Sequence, residues 1–370
     1  MSESLIVDEV SEQLTPADAG TLWHTDRAEC VRIFQKGIED GDLDAYAEGL
    51  THLEWDARIK QGLMPYHSAN MRDMFFDFEF KNLVNFQQIL TEKHAQYPSN
   101  PGFAMLLGFV LDALGANSQY FYNIAAAKAG GLADMIQYEW LEPSPDTKNL
   151  CGLVNVRECE RDTDNILMVS VDSVYAQKFL RGFVDSYLAN TDQGLIVHLM
   201  DCPYALVDEV RQRPGFGIVA EWPNGNRNYY HAFRFIRMAH LMSHYKRKIW
   251  ASDVDVRIND DMAEIFDLPG DLVWRARPAR LEPWNQINAC LYGCSDQGYA
   301  DHVAGYIGRL AKEDKLCWGS DQMAMWATYK QLAPQGLSVS CLDDRQLCYD
   351  DRPDAIVTAY SGARKALLPS

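Results

Sequence analysis

No Cys-x-x-Cys pair occurs among the nine cysteines, at positions 30, 151, 159, 202, 290, 294, 317, 341 and 348. An odd, scattered set excludes a disulfide framework and implies reduced thiols, as in a cytoplasmic protein. Cys290 and Cys294 with His302 are the nearest approach to a soft-metal site, and their spacing fits no structural zinc pattern. No apolar run approaches the roughly 20 residues needed to cross a bilayer. The start, Met1 to Glu9, lacks a basic stretch followed by an apolar one, so it does not read as a secretion signal. A Gly-rich Walker-type loop is missing too, which argues against ordinary ATP chemistry. Positive charge is scarce: 34 Lys and Arg stand against 52 Asp and Glu, for a formal net charge of −18. Such a chain repels nucleic acid and anionic membranes at long range.

What remains is a folded globular composition in 370 residues, 47% apolar with 11% aromatics, long enough for two domains. Acidic residues crowd the first sixty positions, and basic clusters fall later, at Lys246-Arg247-Lys248 and at Arg275, Arg277 and Arg280. A basic pocket in an acidic protein would suit a phosphate-bearing substrate, although a solvated face is the commoner fate of such clusters.

The chain reads as an acidic tail over 1–24, a helical domain over 25–145 and an α/β domain over 146–370. Asp26 can cap a run from Glu29 to Lys36 with helical periodicity, and Asp42 to Arg58 and Phe75 to Tyr97 read as further helices. Pro98-Ser99-Asn100-Pro101 breaks the chain before a helix from Gly102 to Leu114. Gly115-Ala116-Asn117 turns it into another, Ser118 to Lys128, closed by Gly130-Gly131. With Leu106-Leu107-Gly108 in the first and Ala125-Ala126-Ala127 in the second, this pair resembles a tetratricopeptide-type hairpin, which implies a protein partner. Tyr120-Phe121-Tyr122 departs from that pattern, and a generic helical cap is the alternative.

After Glu142-Pro143-Ser144-Pro145-Asp146 the pattern changes. Short apolar, β-branched runs at Ile166–Val171, Leu195–Met200 and Gly217–Ala220 alternate with helix-like stretches, Tyr175 to Leu188 among them. That alternation predicts a largely parallel sheet flanked by helices. Tyr229 to His244 is amphipathic and delivers the chain to Lys248–Ser252, a fourth strand that ends at Asp253-Val254-Asp255. Carboxylates at i and i+2 of an extended chain point the same way. Two hard oxygen ligands can hold a divalent cation with positions open for phosphate oxygens and water.

The order of pieces after residue 165 resembles a GT-A-type nucleotide-sugar glycosyltransferase, most like the retaining, glycogenin-like group and its bacterial relatives. The pieces are Asp172-Ser173-Val174-Tyr175, Tyr230 to Phe235, Asp253-Val254-Asp255, Asn285 to Ala289, Trp318 to Gln322 and Gly362-Ala363-Arg364-Lys365. The resemblance implies metal-dependent transfer of a hexose from a nucleoside diphosphate to a glycan, lipid-linked or protein acceptor, with retention. It implies that Asp253 and Asp255 hold Mn²⁺ or Mg²⁺, and that Lys365 and Arg234 meet the diphosphate. Asp172 and Tyr175 would contact base and ribose, though Asp172 equally suits a helix cap. Asn288, Asp321 and Gln322 would line the sugar pocket, with Trp318 a wall or a core residue. Asp321 would serve as base if the enzyme inverts. Two departures stand against the family pattern. Ala359, Tyr360 and Ser361 replace its histidine ligand before Gly-x-x-Lys, and Cys290 stands where it has glycine. They keep a second reading open, a helical interaction protein with a degenerate nucleotide-sugar domain. Phosphate-ester or nucleotidyl chemistry at the same metal is a third.

Overall fold

The structure is a computed structural model. It describes 101–129, separated positions between 84 and 98, and 152–368 apart from 224, 226, 278–285, 317, 318, 351 and 361. The acidic tail, the two earliest helices of the expected helical domain and Trp318 lie outside the described residues. The chain divides into two compact units, Met1–Leu141 with Pro278–Gln286, and Glu142–Arg277 with Ile287–Ser370.

In the first unit α1 (Pro101–Ala113) and α2 (Gln119–Ala129) form a helix hairpin about the expected turn. Gly115 supplies the left-handed backbone there, with φ 70. Tyr122 of α2 is fully buried, and its ring lies where a side chain at Gly108 would stand, 2.4 Å from a Cβ built there. Only glycine lets the two helices approach this closely.

In the second unit, β1 (Val154–Arg157) precedes β2 (Asn165–Asp172). A helical stretch follows, from Ser173–Tyr175 through a π-turn at Ala176–Leu180 into α3 (Arg181–Asn190). Next come β3 (Gly194–Met200), α4 (Tyr204–Arg211), β4 (Gly217–Glu221), α5 (Arg227–Tyr245) and β5 (Lys248–Ser252). The rest comprises β6 (Val256–Ile258), α6 (Ala263–Phe266), β7 (Leu272–Ala276), β8 (Ile287–Cys294), α7 (Gln297–Lys312), α8 (Ser320–Leu332), β9 (Val339–Cys341), β10 (Leu347–Cys348) and β11 (Val357–Ala359).

Eight strands make one sheet in the order β1-β4-β3-β2-β5-β8-β7-β9. Its centre, β4-β3-β2-β5, is parallel, built from the four runs legible in the sequence. β8 joins β5 antiparallel, β7 joins β8 antiparallel, and β1 closes the far edge antiparallel, so the sheet is mixed. β10, β11 and β6 form a second, three-stranded sheet.

Alternation along the central strands sorts the two faces. Leu167, Val169 and Val171 of β2 and Leu195, Val197 and Leu199 of β3 enter a core shared with Phe183, Val184 and Tyr187 of α3. Residues at the intervening positions face the other way and carry the polar groups discussed below. Trp250 of β5 is fully buried, donates its indole N–H to Asn165 Oδ1 at 3.0 Å, and covers Gly293 of β8.

Three cations of the two basic clusters, Arg247, Lys248 and Arg275, are engaged within the fold, and Arg280 lies outside the described residues. Arg247 donates to the Thr163 carbonyl at 2.8 Å and pairs with Asp162, and Lys248 donates to the Leu268 carbonyl at 3.1 Å. Arg275 bonds the Leu347 carbonyl and Asp344. Cys159, Cys202, Cys290, Cys294, Cys341 and Cys348 are free thiols. No helix among the described residues is long and apolar enough to cross a membrane.

Candidate functional site

Strand order reverses at β2. From it the chain steps outward to β3 and then β4, returning on the opposite side as β5. Loops leaving the carboxyl ends of β2 and β5 therefore diverge, and open α/β sheets bind ligands in the crevice this creates. A cleft open to solvent lies at that point. Its lining includes Ser170 and Asp172 of β2 and Tyr175 just after it, Met200 at the end of β3, Asp253 and Asp255 after β5, Tyr230, His231 and Arg234 from α5, and Lys365.

Each side chain has a local reason to be there. Asp172 is the N-cap of the turn after β2, its Oδ1 accepting from the Tyr175 N–H at 2.8 Å. The capping carboxylate thus also lines the cleft. Asp253 and Asp255 sit in the bend between β5 and β6 rather than within a strand. Val254 between them enters the core, and the Asp253 N–H donates to the Cys290 carbonyl at 2.8 Å, holding the bend against β8. β6 then pairs antiparallel with β11, and the Tyr360 N–H donates to the Asp255 carbonyl at 3.0 Å. That pairing feeds the 3-10 segment Gly362–Leu367, which brings Lys365 back to Asp255.

The two carboxylates share the cleft but take different partners. Asp255 pairs with Lys365, whose Nζ also donates to the Tyr175 hydroxyl at 3.1 Å and stands 5.1 Å from that ring's centroid. Asp253 pairs with Arg234, which also reaches Asp321 Oδ2 at 3.3 Å. The Asp253 side chain is 37% exposed and that of Asp255 only 11%, so the second carries the heavier desolvation. Burial and the neighbouring Asp253 charge raise the Asp255 pKa although Lys365 opposes them. For Lys365, burial works to lower the pKa, and the pull of Asp255 more than offsets it, so the ammonium is held charged. Arg234 is likewise raised against its burial by Asp253 and Asp321.

Three expected sugar-pocket residues are otherwise engaged and do not line the cleft. Asn288 donates to the Tyr349 hydroxyl at 2.5 Å and accepts from the Cys290 N–H at 2.8 Å. Gln322 donates to the Ile287 carbonyl at 2.7 Å. Asp321 is 4% exposed, takes Arg234 on one oxygen and the Gln322 N–H on the other at 2.9 Å, and lies 3.8 Å from His231 Nε2. The Cys290 thiol is pushed up by burial and by Asp253 and Asp255, so it is no thiolate ligand. No group of three or more His, Cys, Asp or Glu side chains arranged to hold a metal ion occurs among the described residues, which removes the Cys290, Cys294 and His302 alternative. The donor set that remains, Asp253 and Asp255, would supply two of the oxygen ligands that a divalent cation such as Mg²⁺ or Mn²⁺ requires.

Behind the cleft runs a polar chain that residue patterns did not assign. Ser170 Oγ lies 2.9 Å from His198 Nδ1, and His198 Nε2 lies 2.7 Å from Glu221 Oε1. Arg237 of α5 donates through Nε to Glu221 Oε2 at 2.8 Å. His198, Glu221 and Arg237 are fully buried. One signal was available: His198 interrupts the apolar run of β3, and a polar side chain in a buried strand requires partners.

No protein-family model and no curated protein matches the chain. Among solved structures it is similar to the apo form of the glycosyltransferase GlyE of Streptococcus pneumoniae TIGR4, at 14% identity over 55% of each chain with a TM-score of 0.40. The apo bifunctional glycosyltransferase WbbM matches 56% of this chain and 47% of its own, at 13% identity and TM-score 0.41. The galactosyltransferase LgtC in complex with donor and acceptor sugar analogs matches 54% and 87%, at 13% identity and TM-score 0.37. The chain spans about half the length of the first two. At TM-scores of 0.37 to 0.41 these likenesses are too distant to assign a fold family or an activity.

Proposed function

We propose that the second unit is a GT-A-type glycosyltransferase that moves a hexose from a nucleoside diphosphate to a glycan, lipid-linked or protein acceptor. One observation carries this reading: two carboxylates and two cations converge on one cleft at the sheet's switch point. A cation binder alone would not need Lys365 and Arg234 there, and an anion binder alone would not need Asp253 and Asp255. A diphosphate that arrives with a divalent cation needs both.

In this reading Asp253 and Asp255 hold the Mg²⁺ or Mn²⁺ ion, which when bound offsets the charge that gathers on the departing diphosphate. Lys365 exchanges its pairing with Asp255 for the diphosphate oxygens, adding a point charge beside the leaving group. Arg234 holds Asp253 in register with Asp321 and keeps the carboxylate from swinging into solvent. Tyr175 supports Lys365 and offers its ring to the nucleoside, while the second oxygen of Asp172 accepts from a ribose hydroxyl.

Asp321 is poorly suited to the role of base. A general base needs reach and a free lone pair, and this carboxylate is buried, with both oxygens engaged. Its placement supports retention, with the leaving phosphate taking the acceptor's proton, and makes Asp321 a positioning residue. Asn288 and Gln322 shape the wall behind it.

Wild type is expected to release nucleoside diphosphate from one member of a nucleotide-sugar panel only with Mg²⁺ or Mn²⁺ present. Asp255→Asn should lower that rate at least a hundredfold while its circular dichroism is unchanged. Unaltered turnover by Asp255→Asn would end the proposal. The second reading, a degenerate binding domain, draws on the Asp255–Lys365 pair, in which each charge already answers the other. Calorimetry distinguishes it, since nucleoside diphosphate would then bind without turnover of any sugar donor.

A further inference from the structure

A second pocket lies between α3 and β6, lined by residues that the cleft does not use. Phe183 and Val256, each 1% exposed, give it apolar walls, together with the half-buried Phe179 and Leu368. Its polar lining is cationic on balance. Arg257 is exposed on β6 and has no ion pair among the described residues. The Arg181 side chain is 80% exposed, and the carboxylate 3.8 Å from it, Asp185, is already hydrogen-bonded by Arg213. Two guanidinium groups beside apolar walls call for an anion with an apolar body. Guanidinium forks match phosphate oxygens, and a net charge of −18 turns away an anionic membrane, which leaves a small soluble molecule.

Three walls of this pocket are joined to the cleft. Val256 follows Asp255 directly in the chain. The Leu368 N–H donates to the Lys365 carbonyl at 3.3 Å. The Phe179 ring meets the Tyr175 ring edge to face, centroids 5.4 Å apart, and the Tyr175 hydroxyl accepts from Lys365. A molecule packed on Leu368, Phe179 and Val256 therefore braces the 3-10 segment in the arrangement that pairs Lys365 with Asp255. A diphosphate in the cleft requires Lys365 to leave that pairing.

We propose that this pocket is a regulatory site for a small phosphate monoester with an apolar substituent, and that its occupation opposes diphosphate binding in the cleft. The site stands by itself; its coupling to the cleft rests on the glycosyltransferase reading. Linkage makes the opposition reciprocal.

Phenyl phosphate is the probe, with inorganic phosphate as the control that lacks the apolar body. In titration calorimetry phenyl phosphate should bind at least tenfold more tightly than inorganic phosphate. Arg257→Gln and Arg181→Gln, both at exposed positions, should each weaken it about tenfold, the value of one charge-assisted hydrogen bond. Neither variant should alter the affinity for whichever of uridine, guanosine, cytidine and adenosine diphosphates binds with Mg²⁺. Saturating phenyl phosphate should weaken that diphosphate about fivefold and then no further, as coupling between two sites requires. A loss that keeps growing with phenyl phosphate concentration would place the probe in the cleft and overturn the proposal. So would the absence of phenyl phosphate binding, or binding indifferent to both arginine variants. If none of the four diphosphates binds even without the probe, the enzyme reading fails, and the phenyl phosphate titrations still decide the pocket.

Discussion

Arg234 does more for the site than its place on an amphipathic helix discloses. Its side chain is 8% exposed and bridges Asp253 and Asp321, so truncation leaves a buried carboxylate without compensation. Arg234→Ala should destabilise the second unit by about 3–5 kcal/mol, read as a lower denaturant midpoint. Arg234→Lys should recover only part of this, because an ammonium cannot fork to two carboxylates. Lys365 is the counterpart on the ligand side. Lys365→Met should weaken nucleoside diphosphate binding about tenfold to a hundredfold in calorimetry, the range for one charge-assisted hydrogen bond. Thermal stability should fall as well, because Asp255, 11% exposed, loses the cation that compensates it. An unaltered Kd would remove Lys365 from the diphosphate site.

Elements meet at glycines where a side chain has no room. Gly293 of β8 faces the Trp250 indole, with ring atoms 2.9 Å from where a Cβ would stand. Gly293→Ala should destabilise by about 1–3 kcal/mol as the tryptophan is pushed off its rotamer. Near-UV circular dichroism should register the displaced indole, and an unchanged spectrum and midpoint would contradict the packing. Such contacts explain why the antiparallel half of the sheet was not legible. β8 and β7 lack the strand–helix alternation that marks β2 to β5, and their place is set by what the β5 tryptophan covers. The four parallel strands were legible because burial on both faces forces continuous apolar runs.

The whole molecule bears a net charge of −18, yet its cleft gathers Arg234 and Lys365. Stability should also depend on acid through Glu221. Its folded pKa is depressed, so its contribution is complete above the unfolded value near 4.3 and disappears as pH falls through the folded value, about 2. Urea midpoints should therefore drop steeply between pH 4 and 2, and this acid limb should be shallower in Glu221→Gln. Equal slopes in the two proteins would show that Glu221 is not linked to folding.

Local sequence alone determined the parallel strands, the helices between them and the helix hairpin over 101–129, whereas only the family resemblance pointed to Asp172, Arg234, Asp253, Asp255 and Lys365 as a set. Periodicity and strand-end position are properties of neighbours in the chain, and they carry that much. Tertiary structure decided which cation answers which carboxylate, that Asn288 and Gln322 turn to Tyr349 and the Ile287 carbonyl, and that Ser170, His198, Glu221 and Arg237 join across three strands and a helix. Partners separated by 16 to 190 positions are chosen by sheet order and register, which no local pattern records.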